Sequence, residues 1–315
     1  MVPMAIGIGI TIHHSQLKRF ALIGAAGYIA PKHLRAIKET GNVLVAALDK
    51  HDSVGILDSY FPEADFFTEF ERFDRHLEKL KRSGNPVDYL VVCSPNYLHD
   101  AHIRFGLRLG ADVICEKPVV LNPWNVDALM EMEKETGKKV FTILQMRLHP
   151  SIISLYEKIT NTPGGKRSDV ELKYITPRGN WYPVSWKGDI QKSGGISTNI
   201  GVHFFDILLW IFGSVKESIV HKHTNTTACG SLQLESANVN WLLSIDKEQL
   251  PDELKDPGRH SYRYMKVEGE ELDFSETDGS LHTKSYKEIL NGNGFILKEV
   301  KPLTELLYQI RSFQK

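Results

Sequence analysis

Residues 20–30 read F-A-L-I-G-A-A-G-Y-I-A, a short apolar run that leads into a glycine-containing turn. The segment 31–40 that follows has helical periodicity. Strand, glycine turn and helix in this order are the context in which a backbone loop binds the pyrophosphate of a dinucleotide. The spacing is G-x-x-G-x-x-A rather than G-x-G-x-x-G, yet Gly24 can make the tight turn and Gly27 can let the backbone approach a phosphate. Taken alone, a plain strand-to-helix turn explains the loop equally well.

The next apolar run, residues 43–48, strengthens the nucleotide interpretation because it ends in Asp49. The interval from the glycine turn is close to the roughly 20 residues expected for the acid that binds a ribose 2′-hydroxyl. A carboxylate accepts hydrogen bonds from free ribose hydroxyls and repels a 2′-phosphate. The pattern therefore predicts NAD rather than NADP as the cofactor, against the alternative of a solvated Asp at a strand end.

Strand-like and helix-like segments alternate up to residue 147, which predicts a doubly wound parallel sheet. The expected strands are 87–92, 111–115 and 140–144, and the expected helices are 101–109 and 123–136. Ligands bind at the carboxyl ends of the strands in such sheets. Five residues with suitable chemistry are predicted at those ends: Gly24, Asp49, Asn96, Lys117 and Arg147.

A different pattern begins at Ser151. Alternating apolar and polar residues at 169–175, 231–245 and 262–274 predict half-buried antiparallel strands, and 201–212 has the pattern of an amphipathic helix. The fold class is therefore α/β, with an N-terminal Rossmann doubly wound parallel sheet and a C-terminal α+β domain that has an open, mostly antiparallel sheet. We expect three parts: an N-terminal extension (1–17), an NAD-binding domain (18–147), and a substrate-binding and oligomerisation domain (148–315).

Composition limits the partners. The 315 residues are 42% hydrophobic and 24% charged, with a net charge of -1, so nothing in the charge balance favours nucleic acid or an anionic membrane. The apolar run Met1–Ile12 is too short to span a bilayer, and its positive charges follow it, unlike those of a signal peptide. Three cysteines without C-x-x-C spacing favour a reducing cytoplasm.

The thirteen histidines are scattered and predict no metal site. His149, His221 and His223 have no metal-ligand spacing with a nearby carboxylate, and we interpret them as structural.

Several motifs resemble those of the glucose–fructose oxidoreductase/inositol dehydrogenase (Gfo/Idh/MocA) family. They are S-P-N-Y-L-H at 94–99, E-K-P at 116–118, and G-G-I-S-T-N-I-G-V-H-F-F-D at 194–206. The blocks Y-I-T-P-R-G-N-W-Y (174–182) and S-W-K-G-D (185–189) are similar to one branch, the bacterial UDP-N-acetyl-2-amino-2-deoxy-D-glucuronate 3-dehydrogenases. The family's second domain builds oligomers on its outer sheet face, and by analogy a terminal helix (302–312) packs back on the first domain.

The resemblance assigns the catalytic role to Lys117, His203 and Asn199. Oxidation of a secondary alcohol needs a base, and an unperturbed His titrates near 6.5. We expect His203 to be the base and Lys117 to stabilise the developing alkoxide and lower the His203 pKa, although the reverse assignment is open. Asn199 lies four positions before His203, so on a continuous helix the two share a face.

The expected cofactor-binding residues combine the glycine loop with the strand ends. They are Gly24, Gly27, Tyr28, Ile29, Asp49, Ser94, Asn96, His99, Glu116, Lys117, Gln145 and Arg147. Arg147 has the alternative role of an ion-pair partner.

The expected substrate-binding residues are Lys117, Arg178, Trp181, Lys187, Asn199 and His203. Cations can pair with a uronate carboxylate or a diphosphate, and Trp181 and Trp186 can lie against a sugar or uracil. An oligomer interface is the alternative role of this loop.

The resemblance implies NAD-dependent oxidation of the 3-hydroxyl of UDP-N-acetyl-2-amino-2-deoxy-D-glucuronate to the 3-keto sugar, in the nucleotide-sugar pathway to lipopolysaccharide O-antigen. It also implies a homo-oligomer, a tetramer or a dimer, and leaves open whether 2-oxoglutarate recycles NADH in place. Two alternatives remain: a family dehydrogenase of another sugar or polyol, such as inositol, and a non-catalytic NAD-binding regulator.

Overall fold

The computed structural model describes residues 17–161, 167–255, 261–274 and 279–313. The predicted N-terminal extension lies outside the described residues except for its last residue, Leu17.

The first sheet has six strands in the order β3-β2-β1-β4-β5-β6, and all neighbouring pairs are parallel. Its strands are β1 (Arg19–Ile23), β2 (Val43–Leu48), β3 (Asp65–Phe67), β4 (Tyr89–Val92), β5 (Asp112–Cys115) and β6 (Val140–Thr142). Its helices are α1 (Ala30–Glu39), α2 (Ile56–Tyr60), α3 (Phe70–Arg82), α4 (His99–Leu109) and α5 (Pro123–Thr136). Because the strand order reverses between β1 and β4, a crevice opens at their carboxyl ends, where ligands bind in such sheets.

The centre of this sheet is an apolar layer. All four residues of β4 are buried, as expected for a strand with helices on both faces.

The unit α2-β3-α3 had no counterpart among the predicted elements. Strand β3 has only three residues and none is fully buried, whereas α3 buries Phe73 and Leu77 one helical turn apart.

The second sheet has the strand order β12-β11-β7-β10-β9-β8, and every pair in it is antiparallel except β7–β10. Its strands are β7 (Ser168–Ile175), β8 (Val215–His223), β9 (Thr227–Leu234), β10 (Ala237–Ser244), β11 (Tyr262–Val267) and β12 (Glu270–Glu271). The predicted run 231–245 is the end of β9 followed by β10, two strands of a hairpin. The two-sheet α/β architecture expected from the sequence is confirmed.

Seven further α-helices follow the first domain in the described residues: α6 (Pro150–Thr160), α7 (Trp181–Val184), α8 (Ile190–Ser193), α9 (Gly195–Asn199), α10 (Val202–Phe212), α11 (Leu281–Leu290) and α12 (Leu297–Arg311). The helix breaks between α9 and α10, where α8–α9 and α10 meet at 52°. A Cβ at Gly201 would lie 2.5 Å from Leu243 Cδ1 on β10, so glycine allows the break to pack closely on the sheet. The expectation that Asn199 and His203 share one continuous helix is therefore wrong.

Two C-terminal helices pack on the first domain. On α11, Thr283 Oγ1 donates to Glu39 Oε2 at the end of α1 (2.7 Å). On α12, Lys301 Nζ pairs with Asp127 of α5 at 2.6 Å. The sequence led us to expect this of the terminal helix alone, and the boundary at 147/148 stays a prediction.

Among the described residues, no single helix is long and apolar enough to span a membrane. Only the bent pair α8–α9 plus α10 reaches that length and composition, when its two arms are taken together.

Candidate active site

The glycine loop after β1 leaves no room for a side chain at its first turn. Gly24 has φ +98°, and a Cβ there would lie 2.6 Å from the carbonyl carbon of Cys93 and 2.8 Å from the amide nitrogen of Ser94. Both contacts are with the backbone that follows β4, so they cannot be relieved by a side-chain rotation. The loop and the end of β4 therefore pack backbone to backbone and form one wall of the crevice.

Asp49, at the end of β2, holds this loop from the side. Its Oδ2 accepts a hydrogen bond from the Ala26 amide (3.0 Å), and its Oδ1 accepts one from the His51 amide (2.9 Å). A carboxylate has about four lone-pair sites, so Asp49 can still accept hydrogen bonds from a ligand hydroxyl.

The segment after β4 is fastened to the protein on several sides. Asn96 Nδ2 donates to the Ser193 carbonyl at 2.9 Å, and Ser94 Oγ bonds with His102 Nδ1 at 2.8 Å. His99 is buried, with Nε2 2.7 Å from the Ser94 carbonyl and Nδ1 2.8 Å from the Pro118 carbonyl. Both ring nitrogens of His99 face backbone carbonyls, so the side chain braces the segment after β4, and its contact with a cofactor stays a prediction.

Glu116, at the end of β5, is also engaged within the protein. Its Oε1 accepts from His33 Nε2 (2.9 Å) and His282 Nε2 (3.2 Å), and its Oε2 accepts from the Lys117 amide (3.3 Å). Burial alone would raise the pKa of Glu116, but the hydrogen bonds from His282 and His33 hold it well below its ordinary value. The network engages both carboxylate oxygens within the protein, and a cofactor contact of Glu116 stays a prediction.

His203, in the first turn of α10, combines the features expected of a base. Its Nδ1 is buried and has no hydrogen-bond partner among the described residues. Burial and the Lys117 ammonium hold the pKa of His203 well below its ordinary value. The imidazole is therefore neutral at neutral pH, with a lone pair that can take a proton.

Asn199 is held by the short helix α7. Its Nδ2 donates to the Tyr182 hydroxyl at 2.8 Å, and Tyr182 is buried beneath the loop. Burial raises the pKa of Tyr182, so its hydroxyl stays protonated. The amide of Asn199 thus has a fixed orientation beside the break that leads to His203.

A basic subsite lies beside Lys117. The Lys187 ammonium is 5.5 Å from the ring centre of Trp181 and 5.7 Å from that of Trp186. Burial lowers the pKa of Lys187, and the positive charges of Arg178 and Lys117 lower it further. Within the described residues no carboxylate forms an ion pair with any of them. Clustered cations without a counter-charge are the chemistry that an anionic ligand needs.

Arg147 is engaged by acidic side chains of two C-terminal-domain helices. Its guanidinium forms a two-pronged ion pair with buried Asp206 of α10 (2.6 and 3.0 Å) and a further bond to Glu299 of α12 (3.1 Å). It also lies over the Phe295 ring at 4.8 Å. Arg147 thus has its alternative role as an ion-pair partner, and a cofactor contact of Arg147 stays a prediction.

The remaining predicted residues lie around the crevice in different ways. Gln145 has a buried Oε1 without a partner among the described residues, so it keeps an acceptor for a ligand. Tyr28 is 90% exposed at the rim, whereas Ile29 packs against the apolar layer beneath the glycine loop.

Sequence analysis missed four residues near the site: His33, Tyr182, Arg263 and His282. Arg263 carries a positive charge close enough to lower the pKa of His203, and it shares the face of β11 that buries Met265 and Val267. That alternation was the signal that could have identified it. No local pattern marks His282, since 166 residues separate it from Glu116.

Residues 18–144 match the model of an oxidoreductase family with an NAD-binding Rossmann fold (GFO_IDH_MocA), and residues 166–245 match the model of its C-terminal α/β domain. The WlbA (WbpB) dehydrogenase from Thermus thermophilus, solved with NAD and alpha-ketoglutarate, is 49% identical with a TM-score of 0.91. The match covers 95% of this chain and 96% of that one. The chain belongs to the Gfo/Idh/MocA oxidoreductase family.

A second structure of the Thermus thermophilus WlbA dehydrogenase was solved in complex with NAD and UDP-GlcNAcA. Its sequence is 50% identical to that of the present chain. Its TM-score is 0.91, and the match covers 95% of this chain and 96% of that one. An inositol 2-dehydrogenase of Rhizobium meliloti is 27% identical over 205 residues, 64% of this chain and 57% of the relative. The matched region thus spans about half the length of the curated relatives. The family and the NAD-binding domain predicted from the sequence are confirmed.

Proposed function

We propose that the protein is an NAD-dependent dehydrogenase that oxidises the 3-hydroxyl of UDP-N-acetyl-2-amino-2-deoxy-D-glucuronate (UDP-GlcNAcA) to the 3-keto sugar. The observation that carries this proposal is a neutral His203 with an unpaired ring nitrogen, next to Lys117 and a cluster of unpaired cations. The similarity to the Thermus thermophilus dehydrogenase that was solved with NAD and UDP-GlcNAcA supports it.

The crevice fits NAD. The absence of a side chain at Gly24 lets the backbone approach a pyrophosphate, and the lone pairs left on Asp49 suit free ribose hydroxyls but not a 2′-phosphate. The buried Gln145 Oε1 adds an acceptor for an amide N–H. When bound, NAD supplies the acceptor for the hydride that leaves the sugar carbon.

The two titratable groups divide the remaining chemistry. His203 takes the proton of the sugar 3-hydroxyl on a ring nitrogen. Lys117 stabilises the negative charge that develops on the same oxygen, and its charge keeps His203 unprotonated before the reaction. Asn199 orients the sugar without adding a negative charge, which suits an anionic substrate.

The basic subsite would recognise the acidic part of the substrate. Lys187 and Arg178 repel each other in the free protein, and a carboxylate or diphosphate between them relieves that repulsion. Trp181 is 51% exposed and offers an aromatic face to a sugar ring or uracil. A neutral polyol such as inositol would gain nothing from these cations.

The same subsite also suits 2-oxoglutarate, a small dianion. Reduction of its keto group to a hydroxyl, with a proton from water, would return NADH to NAD within the site. The alpha-ketoglutarate complex of the Thermus thermophilus enzyme supports this recycling.

We place the reaction in the cytoplasm, in nucleotide-sugar synthesis for lipopolysaccharide O-antigen. We also assign a homo-oligomeric state, a tetramer or a dimer.

The test incubates the protein and NAD with UDP-GlcNAcA, UDP-GlcNAc or myo-inositol. NADH formation is measured without 2-oxoglutarate, and the oxidised product is measured by mass spectrometry with 2-oxoglutarate, which would consume the NADH. We expect turnover with UDP-GlcNAcA alone among the three. His203→Asn should lower kcat by a factor of about 100 or more, because a general base contributes about 10² to 10⁴. The matched control His221→Asn, at an exposed position on β8, should leave kcat unchanged.

Comparable turnover of myo-inositol would replace this proposal with a polyol dehydrogenase. NAD binding without oxidation of any of the three substrates would favour a non-catalytic regulator.

A further inference from the structure

The turn that carries Lys117 is flanked by buried polar groups on both sides. On its N-terminal side Glu116 is 6% exposed, and the two histidines that bind it, His33 and His282, are 0% and 3% exposed. On its C-terminal side the Pro118 carbonyl lies 2.8 Å from Nδ1 of buried His99. Lys117, the residue between them, is itself only partly buried.

The carboxylate of Glu116 is held entirely by N–H donors. His33 and His282 donate to Oε1, and the Lys117 amide donates to Oε2, so one side chain joins two helices to the backbone of Lys117. A buried carboxylate that loses a donor pays the desolvation cost of the missing hydrogen bond. Each donor therefore matters for where this carboxylate lies.

The two histidines come from distant parts of the chain. His33 is on α1, the helix that follows the glycine loop, and its Nδ1 bonds with the Tyr286 hydroxyl at 2.8 Å. His282 and Tyr286 are both on α11, in the C-terminal segment. The cluster thus ties the helix after the glycine loop and the C-terminal segment to the residue next to Lys117.

We propose that Glu116 is a positioning residue for Lys117, and that His33 and His282 act through it by holding its carboxylate in place. The inference rests on the proposed function in one respect, the role of Lys117 beside the reacting oxygen. In that role the ammonium must lie within hydrogen-bond reach of the alkoxide, and a displacement of about 1 Å at a reacting centre can cost about 100-fold in rate. Lys117 is partly exposed and so is not held by packing alone. The buried cluster of Glu116, His33 and His282 supplies the rigidity that its position requires.

A bound metal ion is the competing explanation of this cluster. Among the described residues, His33, Glu116 and His282 form the one group whose potential ligand atoms lie within 4.8 Å of one another. A divalent ion there would replace both histidine hydrogen bonds, because the ring nitrogens would then ligate the ion instead of donating. The metal content of the purified protein therefore decides between the two.

The test compares two substitutions at one position. In His282→Gln the side-chain amide can still donate to Glu116, whereas in His282→Met a side chain of similar size cannot. With UDP-GlcNAcA as substrate, we expect kcat to fall by about tenfold or more in His282→Met and by less than about threefold in His282→Gln, with NAD affinity within about twofold of wild type in both. A merely structural role of His282 would lower both kcat values equally or would lower NAD affinity.

Crystal structures of the two variants give a readout that needs no turnover. We expect the Glu116 carboxylate and the Lys117 ammonium to be displaced in His282→Met and to keep their wild-type positions in His282→Gln. An unmoved Lys117 in His282→Met, equal kcat losses in both variants, or stoichiometric zinc in the wild-type protein would each overturn the proposal. If the wild-type protein does not oxidise UDP-GlcNAcA, the proposed function fails, and the position of Lys117 in the two crystals still decides this inference.

Discussion

Replacement of Gly24 by alanine tests the backbone packing that forms the crevice. At this position two separate costs arise. The residue has φ +98°, where an L side chain is strained, and its Cβ would lie 2.6–2.8 Å from backbone atoms of Cys93 and Ser94. Neither neighbour can move without shifting the segment that carries Asn96.

The magnitude follows from these two costs. Left-handed backbone costs a non-glycine residue about 1–2 kcal/mol, and forcing a methyl group into a packed site costs about 1–3 kcal/mol. We therefore expect Gly24→Ala to lower the free energy of unfolding by about 2–5 kcal/mol, a large part of the roughly 5–15 kcal/mol that stabilises a typical protein. The forced shift should also weaken NAD binding.

Gly41→Ala is the matched control. Gly41 also has positive φ (+74°), but a Cβ there would meet nothing within 4 Å, so this variant carries the backbone cost of about 1–2 kcal/mol alone. Urea denaturation and NAD titration of both variants separate strain from packing. If Gly24→Ala were no less stable than Gly41→Ala and bound NAD equally well, the close approach of the two backbones would be refuted.

Three further predictions concern charged groups. Arg147→Met should leave Asp206 buried without its partner and lower the free energy of unfolding by about 3–5 kcal/mol; a loss of NAD affinity at unchanged stability would contradict the ion-pair assignment. Burial lowers the pKa of His102 from 6.5 to about 4, so below pH 6.5 the unfolded chain binds more protons than the folded one. Urea denaturation should therefore show stability falling by about 3 kcal/mol from pH 6.5 to 4 on account of this histidine, and His102→Asn should flatten that slope; an identical slope in the variant would refute the assignment. Lys187→Met should raise KM for UDP-GlcNAcA by about tenfold or more at similar kcat, and an unchanged KM would remove this lysine from the subsite.

Local signals predicted the nucleotide domain well. The order of strand, glycine turn and helix at 20–40 depends on residues close in sequence, and the structure has β1, Gly24 and α1 as expected. The cations of the 174–189 segment were also visible, because Arg178 and Lys187 lie in one short loop beside two tryptophans. By contrast, α2-β3-α3 was missed, since β3 is too short to show a period.

Contacts between residues far apart in the chain could not be predicted from local sequence patterns. Arg147 stands at a strand end as a cofactor ligand would, but its partners Asp206 and Glu299 are 59 and 152 residues away. The four-residue interval from Asn199 to His203 suggests one helix face, yet the helix bends by 52° between them, where Gly201 packs close to Leu243. In each case tertiary packing decided what the local pattern left open.

The most direct test of the central claim follows the hydrogen atom itself. The protein is incubated with NAD and UDP-GlcNAcA deuterated at C3 of the sugar, and the NADH formed is analysed by mass spectrometry. The account predicts NADH that carries one deuterium, together with a sugar that has lost it, and a His203→Asn sample in which neither forms at a comparable rate. NADH without deuterium, or no NADH while the sugar stays unchanged, would contradict oxidation at C3.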